Sequence, residues 1–222
     1  MVAVIIILGL FCVAAIALII KENYDDKSSS VSESKKVRKS NSVGESNGVR
    51  KSNDKNNMGF EQGIFIKDYN TIKHYLDTGI DVNSNLSTGF PPISELITPK
   101  QGLQIVKFKP NENIIKLLLE SGADVNRKSK IMPQNTPLIQ ASYYGYANIV
   151  KLLLKYDAKI NDQNIEGATA LMMAVMAGHV DLVKLLLLKG ANKNLGTYKL
   201  GMTALDGAYR NNNMEIIKLL KD

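Results

Sequence analysis

Cysteine occurs once in this 222-residue chain, as Cys12, so no disulfide framework can staple the fold. Histidine occurs twice, as His74 and His179, far apart in sequence and with no cysteine outside the apolar N-terminal run. That scarcity excludes the common zinc sites, which draw their ligands from clustered Cys and His. There is no glycine-rich phosphate loop, no nucleophile elbow and no His-Glu-x-x-His, and the carboxylates are scattered rather than paired. The residues therefore offer no catalytic, cofactor-binding or metal site and no small-molecule substrate. The formal charge is +7 but few arginines cluster, and no nucleic-acid motif is present, so the excess does not read as a phosphate-tracking patch. Residues 21–58 carry nine basic and six acidic side chains, residues 59–222 nineteen and fifteen.

What the chain does have is a repeat. Thr136-Pro137-Leu138, Thr169-Ala170-Leu171 and Thr203-Ala204-Leu205 stand 33 and 34 residues apart. Each leads to an alanine (Ala141, Ala174, Ala208) and then to an aliphatic block, at 149–154, 182–187 and 216–220. A near-constant period of this length marks one supersecondary unit stacked on copies of itself. Threonine before Pro-Leu or Ala-Leu suits a helix N-cap, and Pro137 falls at the first helical position, where its missing N–H costs nothing. Small residues inside the first helix permit close packing. Gly145, Gly178 and Asn212 supply the left-handed turn to a second helix. That helix is apolar except at its lysines, which suits burial between two neighbours. Gly122-Ala123-Asp124-Val125-Asn126 and Gly190-Ala191-Asn192-Lys193-Asn194 close their units with a C′ glycine and a turn-forming asparagine.

The run Thr136 to Ala141, Gly178-His179 with the aliphatic block at 182–187, and Ser121 to Asn126 together resemble ankyrin repeats. The resemblance covers residues 60–222. It implies an all-α solenoid of about five helix–turn–helix units joined by β-turns, over 59–85, 86–129, 130–164, 165–197 and 198–222. The second unit opens at Gly89-Phe90-Pro91-Pro92-Ile93, and its helices are separated by an insertion near 97–106. In the first unit Ile64-Phe65-Ile66 marks a degenerate first helix. Asp157 replaces a usual glycine in the third unit, whose turn region is two residues longer. The family's position after the inter-helix glycine often holds a structural histidine, the role expected of His179.

Residues 2–20 hold no charge, and nineteen helical residues at about 1.5 Å each span roughly the hydrocarbon core of a bilayer. The expected organisation is a membrane anchor over 1–20, a disordered Ser/Asn/Lys-rich linker over 21–58 and the repeats over 59–222. A signal peptide cleaved after Ala15-Ile16-Ala17 is the competing reading. Lys21, Lys27, Lys35, Lys36, Arg38 and Lys39 follow the run, which favours a single-pass topology with cytoplasmic over external repeats.

The resemblance, taken with the apolar run, leads to the expectation of a monomeric, membrane-tethered, non-enzymatic scaffold that binds an unidentified protein on the concave face the family uses. The alternatives are a passive spacer and an exported form released by cleavage. The family's binding positions lie in the turn before the Thr-x-Leu and at the end of the first helix. Carried over, they are Phe90 with Ser87 and Thr88 in the second unit, and Met132, Asn135, Tyr143 and Tyr144 in the third. The fourth unit supplies Ile165, Glu166, Ala168 and Met176, and the fifth Lys199, Leu200, Met202 and Arg210.

Overall fold

A computed structural model describes residues 47–99 and 108–222, with side chains from residue 57 onward. The membrane-anchor expectation over 2–20 and most of the linker expectation lie outside these residues. Among the described residues no helix is long and apolar enough to cross a membrane.

Among the described residues ten helices follow in pairs: α1 (Asn47–Ile66) and α2 (Tyr69–Asp77), α3 (Pro92–Ile97) and α4 (Glu112–Glu120), α5 (Pro137–Tyr143) and α6 (Ala147–Lys155), α7 (Ala170–Met176) and α8 (Val180–Leu188), α9 (Ala204–Arg210) and α10 (Met214–Lys221). The first helices pack in succession, α1 on α3, α3 on α5, α5 on α7 and α7 on α9. The second helices form a parallel row behind them. Neighbours in that row approach one another far less than the first helices do, and α6 and α8 least of all.

The caps follow the reading of the repeat. Thr136, Thr169 and Thr203 each accept the backbone N–H three residues on, and Asp206 returns the favour to the Thr203 N–H at 2.8 Å, closing a capping box. Left-handed turns fall at Gly145, Gly178 and Asn212, and Asp157 takes φ 63° where other units have glycine. The core is one continuous apolar layer in which Ile114, Val150, Leu153, Val183, Leu186 and Ile216 are fully buried.

Two features depart from expectation. The first helix of the first unit begins at Asn47, inside the segment expected to be an unstructured linker, and runs twenty residues rather than the seven of α5, α7 and α9. Its seat on α2 favours the glycine at 59: a Cβ there would lie 2.0 Å from the Tyr75 hydroxyl, so a larger residue would have to push that ring aside. The second lies beside the insertion in the second unit. Residues 100–107, most of that insertion, lie outside the described residues, but Phe108 just beyond them is buried, which the sequence reading did not foresee. Its ring lies 6.1 Å from Tyr146, with the Lys67 ammonium 3.8 Å above it.

Candidate binding face

Each unit from the second onward opens with a tight finger closed by one backbone bond. Leu86 donates to the Phe90 carbonyl, Ser129 to Asn135, Asn164 to Ala168 and Thr197 to Met202, all at 3.0–3.1 Å. The four fingers differ in length because the same closure spans four, six, four and five positions. The finger of the third unit is the longest, as its two extra residues require. Neighbouring fingers are then tied tip to tip: Lys130 donates to the Gly89 carbonyl, Ile165 to Pro133 and Tyr198 to Glu166, at 3.0, 3.3 and 3.0 Å. Backbone groups that a free loop would leave to water are thus spent within the row, which holds the finger side chains at a fixed pitch.

The side chains of that row are apolar to an unusual degree. Met132 is 65% exposed, Ile165 40%, Tyr198 65% and Leu200 73%. A second exposed row runs along the ends of the first helices, with Tyr143 on α5, Met176 on α7 and Arg210 on α9 in the same register after their capping threonines. Both rows thus hold large apolar side chains at the surface at repeat spacing.

The expected residues divide by burial. Met132, Tyr143, Ile165, Glu166, Met176, Lys199, Leu200 and Arg210 are exposed, as are Ser87 and Thr88. Phe90, Asn135, Tyr144 and Met202 are half-buried. Ala168 is a correction: it is 3% exposed, its methyl lies in the core, and its carbonyl and N–H both close the fourth finger. Asn135 is tied down as well, its side-chain oxygen accepting from Asn164 at 2.8 Å. Asn164 is the organiser here, since its own oxygen accepts the N–H groups of Glu166 and Ala168.

The tyrosine pair splits into two roles. Tyr143 points outward, its ring edge-on to Tyr144 at 5.2 Å. Tyr144 instead stacks on Tyr146 at 5.7 Å, and that ring reaches Phe108. Burial, helped by the neighbouring Tyr143, raises the Tyr144 phenol above its ordinary value, and burial pushes Tyr146 up to about 12. Both phenols stay neutral at any ordinary pH, as packed rings should. His179 holds this corner: its Nε2 lies 3.0 Å from the Tyr143 carbonyl, which can only accept, so the ring donates to an orphan group at the end of α5.

Tyr198 was absent from the sequence expectation. Ile165 lies four residues before Thr169, and the same count back from Thr203 lands on Lys199. The fifth finger is one residue longer, so the structural counterpart of Ile165 is Tyr198. Tyr209, 48% exposed, was also unforeseen; it holds the register of Ser142 and Val175, both fully buried under the units that follow them.

Among the described residues no three His, Cys, Asp or Glu side chains converge to hold a metal ion. What the face can do chemically is present shape, aromatic edges and a few charges to another macromolecule.

Comparison with known proteins agrees with this geometry. The chain is 37% identical over 105 residues to the probable E3 ubiquitin-protein ligase XBOS33 of Oryza sativa subsp. japonica, a match covering 47% of this chain and 20% of that protein. It is 36% identical over 124 residues to the putative ankyrin repeat protein FPV031 of Fowlpox virus (strain NVSL), covering 54% and 36%. Alpha-latrotoxin-Lg1a of Latrodectus geometricus matches at 30% over 146 residues, covering 64% of this chain and 10% of the toxin. The chain therefore spans only a minor part of these relatives. A family model for ankyrin repeats in three copies matches residues 64–164, 102–197 and 138–222. Capping threonines, left-handed turns, tied fingers and this match agree: the chain belongs to the ankyrin-repeat family, whose repeats form protein–protein interaction domains.

Proposed function

We propose that this chain is a non-catalytic binding scaffold that captures a protein partner on the surface formed by its fingers and first-helix ends. The observation that carries the reading is the pair of exposed rows, Met132, Ile165, Tyr198 and Leu200 on the fingers and Tyr143 and Met176 behind them. A solenoid serving only as a spacer has no reason to hold large apolar side chains in water there, because each costs solubility without adding to the core. Tyrosine and arginine, the types that dominate interface energetics, sit at the ends of the face as Tyr143, Tyr198 and Arg210.

The apolar run at 2–20 supports a further element of the proposal: the scaffold is held at a membrane as a single-pass protein, with its repeats on the cytoplasmic side. Proximity labelling from the C-terminus in the native cell tests both parts. The neighbours of the wild-type chain should include a protein lost from the Ile165→Asp, Met176→Asp variant, whose melting should match wild type. An identical neighbour set for both proteins would defeat the binding face. Resistance to carbonate extraction with residue 1 or 2 still at the N-terminus supports the anchor; a terminus at Leu18 would establish cleavage instead.

A further inference from the structure

The opposite side of the stack carries a second feature. Between α6 and α8, the neighbouring second helices that do not pack closely, runs an open furrow of about 710 Å³. Leu154, Ile160 and Leu185 form its floor; Lys151, Lys155 and Lys189 stand on its walls, against a single carboxylate, Asp157. Two other lysines of this side are paired, Lys116 with Glu120 at 3.6 Å and Lys184 with Glu215 at 2.8 Å. The three furrow lysines make no ion pair among the described residues. Leu188, next to Lys189, is 85% exposed, the most exposed large apolar side chain among the described residues.

We infer that this furrow is a second docking site, for an acidic peptide segment in extended conformation with aliphatic side chains between its carboxylates. Charge complementarity selects the occupant: three unpaired cations around an apolar floor suit a chain that carries both anions and apolar groups. Shape selects its conformation. A planar bilayer would meet the crests of the helices and leave the floor untouched, and a helix with its side chains is about 10 Å wide, too broad for a gap between adjacent helices. An extended chain alternates its side chains, so leucines can reach the floor while aspartates stay level with the ammonium groups, which extend outward on long stems. The furrow lies on the second-helix row, so this inference is independent of the finger face.

The test uses the full chain in phosphatidylcholine nanodiscs and a fluorescein-labelled hexapeptide in which aspartate and leucine alternate, read by anisotropy. Saturable binding should weaken at least about tenfold in Lys155→Glu, Lys189→Glu, because two attractive contacts become repulsive. The same charge change placed on the end units, Lys73→Glu with Lys218→Glu, should leave binding within about twofold, as should Ile165→Asp, Met176→Asp. A peptide with serine for leucine should not bind. The inference is overturned if the peptide shows no saturable binding, if both lysine pairs matter equally, or if the serine peptide binds as well. Displacement of the peptide by phosphatidylserine nanodiscs, with loss of that displacement in Lys155→Glu, Lys189→Glu, would assign the furrow to anionic lipid and overturn it too.

Discussion

The side-chain oxygen of Asn126 accepts the backbone N–H of Lys159, one unit further along the stack, at 2.8 Å. Its amide nitrogen donates to the Asp157 carbonyl at 3.4 Å. The same clamp recurs between Asn83 and Asp124 at 2.7 Å and between Asn161 and Asn192 at 2.8 Å. In the first three units the closing asparagine is therefore also the bond to the next, so these units stack with a shared register and not by apolar contact alone. Asn126→Ala should lower stability by about 1 kcal/mol, the net worth of a partly exposed hydrogen-bonded clamp. Urea unfolding monitored by circular dichroism measures it; an unchanged midpoint would make the clamp ornamental.

Gly145 is held by two independent constraints. Its φ is +74°, and an added Cβ would lie 2.6 to 2.9 Å from the ring atoms of His179. Gly145→Ala should cost about 1–3 kcal/mol from backbone strain and more from the clash. In a His179→Ala background the clash disappears but the strain stays, so the second Gly145→Ala should cost less than the first. Equal costs in the two backgrounds would show that the ring moves aside freely.

Tyr143 and Tyr144 should separate on substitution. Tyr143→Ala should leave the melting curve nearly unchanged and weaken partner capture by about 2 kcal/mol, the behaviour of an exposed aromatic anchor. Tyr144→Ala should lower stability by about 3 kcal/mol, because its ring is packed between Tyr143 and Tyr146. The reverse pattern would move the binding edge to the other ring.

Phe108→Ala should destabilise the stack by about 3 kcal/mol, since the ring is 8% exposed and packed on Tyr146. Replacing residues 99–107 by a short glycine-containing turn, with Phe108 kept, should cost less than about 1 kcal/mol, because loop-closure entropy changes only logarithmically. A large loss from that replacement would place further insertion residues in the core.

Acid should weaken the fold through two caps. The Asp68 carboxyl is held below its ordinary value by the Thr71 hydroxyl and then the Thr71 N–H; that of Asp206 by the Thr203 N–H and then its hydroxyl. A carboxyl with a depressed folded pKa adds stability above its unfolded value, and that stability is lost as pH falls through the folded one. Urea midpoints should therefore decline below about pH 4, and the decline should be shallower in Asp68→Asn, Asp206→Asn. Parallel declines in both proteins would assign the acid sensitivity to other groups.

Much of this molecule was legible in the chain because its determinants are local. A threonine three residues before a free N–H, a glycine or Asn212 where φ must be positive, and an aliphatic block at fixed spacing each act within a single turn, and together they specify the unit and its period. The partnering of units was not legible in the same way. Counting along the chain placed Ala168 on the surface and passed over Tyr198, because burial and finger length depend on the neighbouring unit. Asn126 read as a turn former; only the approach of the next unit makes it a clamp. Tyr143 and Tyr144 are chemically identical in sequence, and the ring of Tyr146 alone decides which is packed and which is offered. Local chemistry determined the repeat, and the contacts between repeats decided the face.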